Sequence, residues 1–145
     1  MSLFYKIVGT FFFIGNIRIM PGTFASIVGA IIWLYIPEDI YFRLLLILVT
    51  CLIGFISISY LLKNSDDPDP SYIVIDEIVG IWISCIFIQK EFIFIIIALL
   101  LFRYLDIIKP SFIYHVQSIK GPIGIMLDDI LCGALVLMIF TAFSI

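Results

Sequence analysis

Five carboxylates and two cations interrupt the most apolar parts of this sequence. Asp76 and Glu77 sit side by side in SYIVIDEIVGIWISCIFIQ (71–89), and Asp128 and Asp129 close KGPIGIMLDD (120–129). In FRYLDIIKP (102–110), Arg103, Asp106 and Lys109 recur every three residues, which on a helix gives Asp106 a cation on each side. Each ionised side chain within a span costs about 2.5 to 3.5 kcal/mol on insertion scales, and such groups usually face a bundle interior or a cavity. A lone aspartate can sit at headgroup depth. Five acids in three clusters repel one another and need a positive partner. Arg103 and Lys109 could supply it. So could a hard divalent cation such as magnesium, which takes oxygen ligands and is commonly held by one or two carboxylates plus a phosphate. Asp76, Glu77, Asp128 and Asp129 are the candidate metal ligands, leaving Arg103 and Lys109 free to bind the phosphate.

Weaker signals point to an anion. Pro21-Gly22-Thr23 precedes a helix start, where free backbone N–H groups and the helix dipole favour negative charge. Gly121, Pro122 and Gly124 form a loop ahead of the second acid pair whose backbone can approach a ligand closely. Gly22, Thr23 and Gly124 are therefore candidate phosphate contacts beside Arg103 and Lys109. Other chemistries fit less well. Asp67-Pro68-Asp69 has the Asp-x-Asp spacing of aspartyl-phosphate enzymes but lacks a parallel-sheet pattern around it, so it reads as a solvated loop. Cys51, Cys85 and Cys132 lie singly in apolar runs, without the spacing of a zinc site or a thiol phosphatase, and read as small span residues. The one histidine, His115, excludes mechanisms that need two, and its place between Lys109 and Lys120 leaves it a minor acid-base candidate.

The elements that must hold these groups follow from composition. At 145 residues, 63% hydrophobic and 13% charged, with a mean hydropathy of +1.26, the chain has more apolar surface than a soluble domain of its size can bury. It reads as a single all-α domain, a polytopic transmembrane bundle. The net charge of -3 carries no basic tract for nucleic acid, and the bilayer is the expected partner. Apolar runs predict about five short spans, near 23–36, 44–62, 73–89, 92–108 and 130–145. Residues 1–20 are expected to form an interfacial or partly inserted segment. Five alternating spans place Lys6, Arg18, Lys63, Arg103, Lys109 and Lys120 on one side and Arg43 and Lys90 on the other. The positive-inside rule then puts the N-terminus in the cytoplasm. All the acid clusters fall at the cytoplasmic ends of spans, where residues distant in sequence meet in one layer.

Taken in order, PGTFAS (21–26), IVIDEIVGIW (73–82), FRYLDIIKP (102–110) and GIMLDD (124–129) resemble the phosphatidylglycerophosphatase A family of bacterial inner-membrane enzymes. The resemblance runs from about Pro21 to Gly133. It implies a magnesium-dependent lipid phosphatase that removes the terminal phosphate of phosphatidylglycerophosphate, giving phosphatidylglycerol, on the cytoplasmic face. The expected roles are Asp76, Glu77, Asp128 and Asp129 toward Mg2+, and Arg103 and Lys109 against the phosphate oxygens. Asp106 is either a further metal ligand or the group that positions and deprotonates water. Two other classes compete: a small ion-coupled transporter, which would carry its acids near mid-membrane on facing helices, and a non-catalytic assembly subunit.

Overall fold

The computed structural model describes residues 2–63, 65–109, 119 and 121–143. Among them it holds six α-helices and no strand: α1 (Ser2–Gly9), α2 (Pro21–Tyr35), α3 (Ile40–Leu62), α4 (Ile75–Ser84), α5 (Phe92–Ile108) and α6 (Pro122–Ala142). A short 3-10 turn at Ile14–Asn16 follows α1.

Local chemistry sets the boundaries. Asp39 caps α3 by accepting a 2.7 Å hydrogen bond from the Phe42 backbone N–H. Proline opens both α2 and α6, where its fixed φ suits the first helical position and its missing N–H costs nothing. Gly121, at φ 90°, takes the turn into α6 in a conformation that other residues resist.

Of the about five expected spans, two are confirmed. Only α3 and α6, at 23 and 21 residues, are long and apolar enough among the described residues to cross a bilayer. At 1.5 Å per residue they reach about 34 and 31 Å, against a hydrocarbon core of about 30 Å. The run 73–89 does not form one long helix: its helix stops at Ser84 after ten residues, about 15 Å, and continues as tight turns through Ile88. The last helix begins at Pro122, well before the expected 130, so Asp128 and Asp129 lie within α6 rather than ahead of it.

Short α4 is the hub. Eight of its ten residues are buried, and α2, α3, α5 and α6 all pack around it. An apolar helix buried on every side is the expected occupant of such a place. Missing side chains allow the approach: a Cβ on Gly133 of α6 would overlap the Gly80 carbonyl of α4, and one on Gly80 would come within 2.9 Å of the Asp129 carbonyl. Trp82 Nε1 donates to the Gly29 carbonyl of α2 at 3.0 Å. By contrast α3 turns Leu44, Leu45, Leu48, Leu52 and Ile56 outward, each at least 50% exposed. This apolar exterior, with the two long helices, associates the protein with a membrane. Against lipid, which is as apolar as the core, close packing rather than burial holds such helices together.

At the end of the bundle away from the acids, two cations serve the backbone. Arg43 donates from Nε to the Pro37 carbonyl at 3.0 Å and from Nη1 to the Ile86 carbonyl at 2.9 Å, with its guanidinium 5.1 Å from the Trp33 ring. Lys90 Nζ bonds the carbonyls of Leu34 and Ile36 at the end of α2. Helix C-termini leave carbonyls unpaired, and cations there are favourable.

Close contact between α4 and α6 predicts a large effect from a small change. Gly133→Val is expected to cost about 1 to 3 kcal/mol through overpacking. The check is thermal unfolding in detergent, with the exposed Met138→Ala as control. An unchanged midpoint for Gly133→Val would contradict the contact.

Candidate functional site

Four chain segments meet at one end of the bundle around a cavity of about 890 Å³: the start of α2, the loop into α4 with that helix's first turn, the end of α5, and the start of α6. Gly22, Asp76, Glu77, Arg103, Asp106, Lys109, Asp128 and Asp129 all line it. The loop residues Pro68, Asp69, Pro70 and Ser71 form part of the wall. That segment reads from sequence as a solvated loop, and only the fold brings it beside the acids.

Helix ends place the charges. Asp76 and Glu77 stand in the first turn of α4, where the dipole favours negative charge. Glu77 has room because residue 22 is glycine: a Cβ there would overlap Glu77 Oε1 and lie 3.3 Å from Arg103 Nη1. Arg103 Nη1 is 2.5 Å from Asp106 Oδ2, one turn along α5, and 4.0 Å from Glu77 Oε1. Past the end of α5, Lys109 takes a left-handed conformation, φ 46°, and its Nζ pairs with Asp128 Oδ2 on α6. Met20, before α2, is likewise left-handed at φ 50°. Such residues cost of order 1 to 3 kcal/mol each, and these two flank the cavity.

Lys109, just beyond its helix, feels opposing influences. Burial pulls its pKa down, but the hydrogen bond it donates to Asp128 and the charges of Asp128, Asp106 and Asp129 outweigh this and hold it above the ordinary 10.5.

The acids outnumber their partners. Counted as ionised, six carboxylates, Asp69 among them, face two cations in the cavity lining. Asp76 Oδ1, Glu77 Oε2, Asp128 Oδ1 and Asp129 Oδ1 are buried with no hydrogen-bond partner among the described residues. Buried polar atoms are rarely left so, and each invites a ligand. Asp76, Glu77 and Asp129 can each turn one oxygen to a common point, all within 4.8 Å of one another. That oxygen-only set fits a hard divalent ion.

Not every sequence candidate reaches the cavity. Thr23 is not part of its lining, and its backbone N–H donates to the Met20 carbonyl at 3.0 Å. Gly124 lies in the first turn of α6 with its Cα against the Ile119 carbonyl, which a Cβ would overlap. Asp128 lines the cavity but pairs with Lys109 instead of joining the oxygen triad. His115 and Lys120 lie outside the described residues. Cys132, read from sequence as a small span residue, lies beside Asp106 and Asp129. The available signal was its spacing, three residues after Asp129 and so on the same helix face.

Fold and site together define a helical, membrane-associated protein whose larger described cavity gathers carboxylates from three helices with Arg103 and Lys109. The family model of phosphatidylglycerophosphatase A matches residues 7–144. Among curated proteins, the chain is similar to phosphatidylglycerophosphatase A of Escherichia coli K12, 30% identical over 81% of this chain and 70% of that protein. It is similar to the enzyme of that name from Haemophilus influenzae, 32% identical over 82% and 76%. A Bacteroides thetaiotaomicron protein, provisionally named a phosphatidylinositol-3-phosphatase, is 31% identical over 88% and 85%. No solved structure matches the chain significantly. The chain belongs to the phosphatidylglycerophosphatase A family and is a phosphatase.

The pairing of Lys109 with Asp128 has a pH signature. A lysine with a raised folded pKa stabilises the fold at pH values below its unfolded pKa, and that contribution is lost as pH climbs through the folded pKa. The gap in unfolding midpoint between wild type and Lys109→Met should therefore stay constant from about pH 7 to about pH 9. It should close only above the ordinary 10.5. Thermal unfolding across that range measures it, and a gap already narrowing near pH ~9 would show that the pair does not hold the proton.

Proposed function

We propose that the protein is a magnesium-dependent phosphomonoesterase that converts phosphatidylglycerophosphate to phosphatidylglycerol in bacterial phospholipid synthesis. Its cavity faces the cytoplasm from the inner membrane. The observation that carries this reading is the buried oxygen triad of Asp76, Glu77 and Asp129 beside Arg103 and Lys109. The names of the Escherichia coli and Haemophilus influenzae relatives supply the substrate.

Asp76, Glu77 and Asp129 would hold Mg2+, with Asp128 near it; the ion, when bound, supplies positive charge against the phosphate oxygens. Arg103 and Lys109 bind and orient the phosphate and neutralise its equatorial oxygens as the P–O bond breaks. To reach it, Lys109 Nζ exchanges its contact with Asp128 for one with substrate. Asp106 keeps Oδ2 on Arg103 Nη1, which favours it as the group that orients a water and takes its proton on the other oxygen, rather than as a ligand of the triad. Gly22 keeps the entrance beside Glu77 and Arg103 clear of side chain.

Topology supports the sidedness. Arg103 and Lys109 lie at the cavity end, while Arg43 and Lys90 lie at the opposite end bonded to backbone carbonyls. A multi-pass arrangement follows if α2, α4 and α5 cross as a bundle between α3 and α6, with the bilayer thinned around them. Lipid acyl chains then stay in the membrane while the headgroup enters the chamber. Acids gathered at one end speak against an ion-coupled transporter, which needs them at mid-depth.

Purified protein in detergent micelles should release phosphate from phosphatidylglycerophosphate with magnesium and stop when the ion is chelated. Activity indifferent to metal, or none in a folded preparation, would sink the reading. Asp76→Asn and Asp129→Asn should each lower turnover by about 100-fold or more while the protein still inserts and folds. Gly22→Ala, whose methyl group meets Glu77, should lower it by about tenfold. Wild-type rates in the two Asn variants would remove those acids from the site.

A further inference from the structure

Asp129 belongs to two groups of potential ligands. One is the oxygen triad with Asp76 and Glu77; the other joins it to Asp106 and Cys132, again with one ligand atom from each within 4.8 Å. Cys132 is fully buried and Asp129 is 4% exposed, with its Oδ1 unpartnered. On α6 the two residues are three apart and share a face, while Asp106 reaches them from α5. Among the described residues, the other thiols, Cys51 and Cys85, belong to no such group.

Replacing one oxygen by sulfur changes which ions a site prefers. Magnesium takes oxygen almost exclusively, whereas zinc and its softer relatives bind thiolate strongly and accept carboxylate beside it. We propose that Asp106, Asp129 and Cys132 form a second cation site, selective for thiophilic divalent ions of the zinc type, sharing Asp129 with the oxygen triad. Binding forms a sulfur–metal bond as the thiol gives its proton to solvent, and no electron is transferred. Three protein ligands would hold such an ion, which would supply Lewis-acid charge beside the chamber that Asp106 and Asp129 line. An ion held there draws Asp106 from Arg103 and occupies Asp129, so thiophilic ions oppose the hydrolysis. This antagonism rests on the proposed function; the binding does not.

Cobalt(II), which reports thiolate ligation by a near-ultraviolet charge-transfer band, is the probe. Titrated into the full-length protein in detergent, it should produce that band in wild type, Cys51→Ala and Cys85→Ala. The band should be absent in Cys132→Ala and Cys132→Ser, and zinc should displace it in wild type. A folded wild type without the band, or a band that persists in both Cys132 variants, overturns the site. In the phosphate-release assay, zinc inhibition should weaken at least tenfold in Cys132→Ala relative to that variant's own uninhibited rate. A protein that gives the band but releases no phosphate overturns the proposed function and leaves the cation site standing.

Discussion

The desolvation of carboxylates around the first turn of α4 is the constraint on which the rest of the structure turns. Charges removed from water are costly unless something nearby replaces the lost solvation. Here the replacement is assembled from several sources: the N-terminal dipole of α4, the guanidinium of Arg103, and Lys109 held against Asp128. None of these could approach without local thinning of the chain. Gly22 gives Glu77 and Arg103 their space, and Gly80 with Gly133 lets α6 carry Asp129 against α4. Oxygen atoms still unpaired after this are the mark of a site built for a guest.

Much of the site was legible in the sequence because charge is conspicuous in a greasy chain. Eight of the ten candidate residues line one cavity. Thr23 and Gly124 do not, and the reason is backbone geometry: the Thr23 amide is taken by Met20, and Gly124 is needed where the chain folds back past Ile119. Neither constraint has a side-chain signature. Cys132 was obscured for a different reason, since a single thiol in an apolar run looks like any small residue until Asp106 arrives from another helix.

The fold was legible in class, and two of its about five expected spans are confirmed. Apolar run length predicts spans only where each helix faces lipid, as α3 does. The run 73–89 is apolar because α4 is enclosed by other helices, and an enclosed helix need not match the bilayer in length. The start of α6 was misplaced because the two aspartates look like a boundary. In the fold they are interior to the helix, facing a cavity rather than a loop.

Arg43 and Lys90 give the molecule a direction. Both side chains bond main-chain carbonyls at their end of the bundle, beside a smaller cavity that they line with Glu38 and Glu91. The other end keeps its unmatched acid oxygens buried around the chamber. The two ends of the bundle are therefore not interchangeable: one spends its cations on main chain, and the other gathers its acids around a chamber.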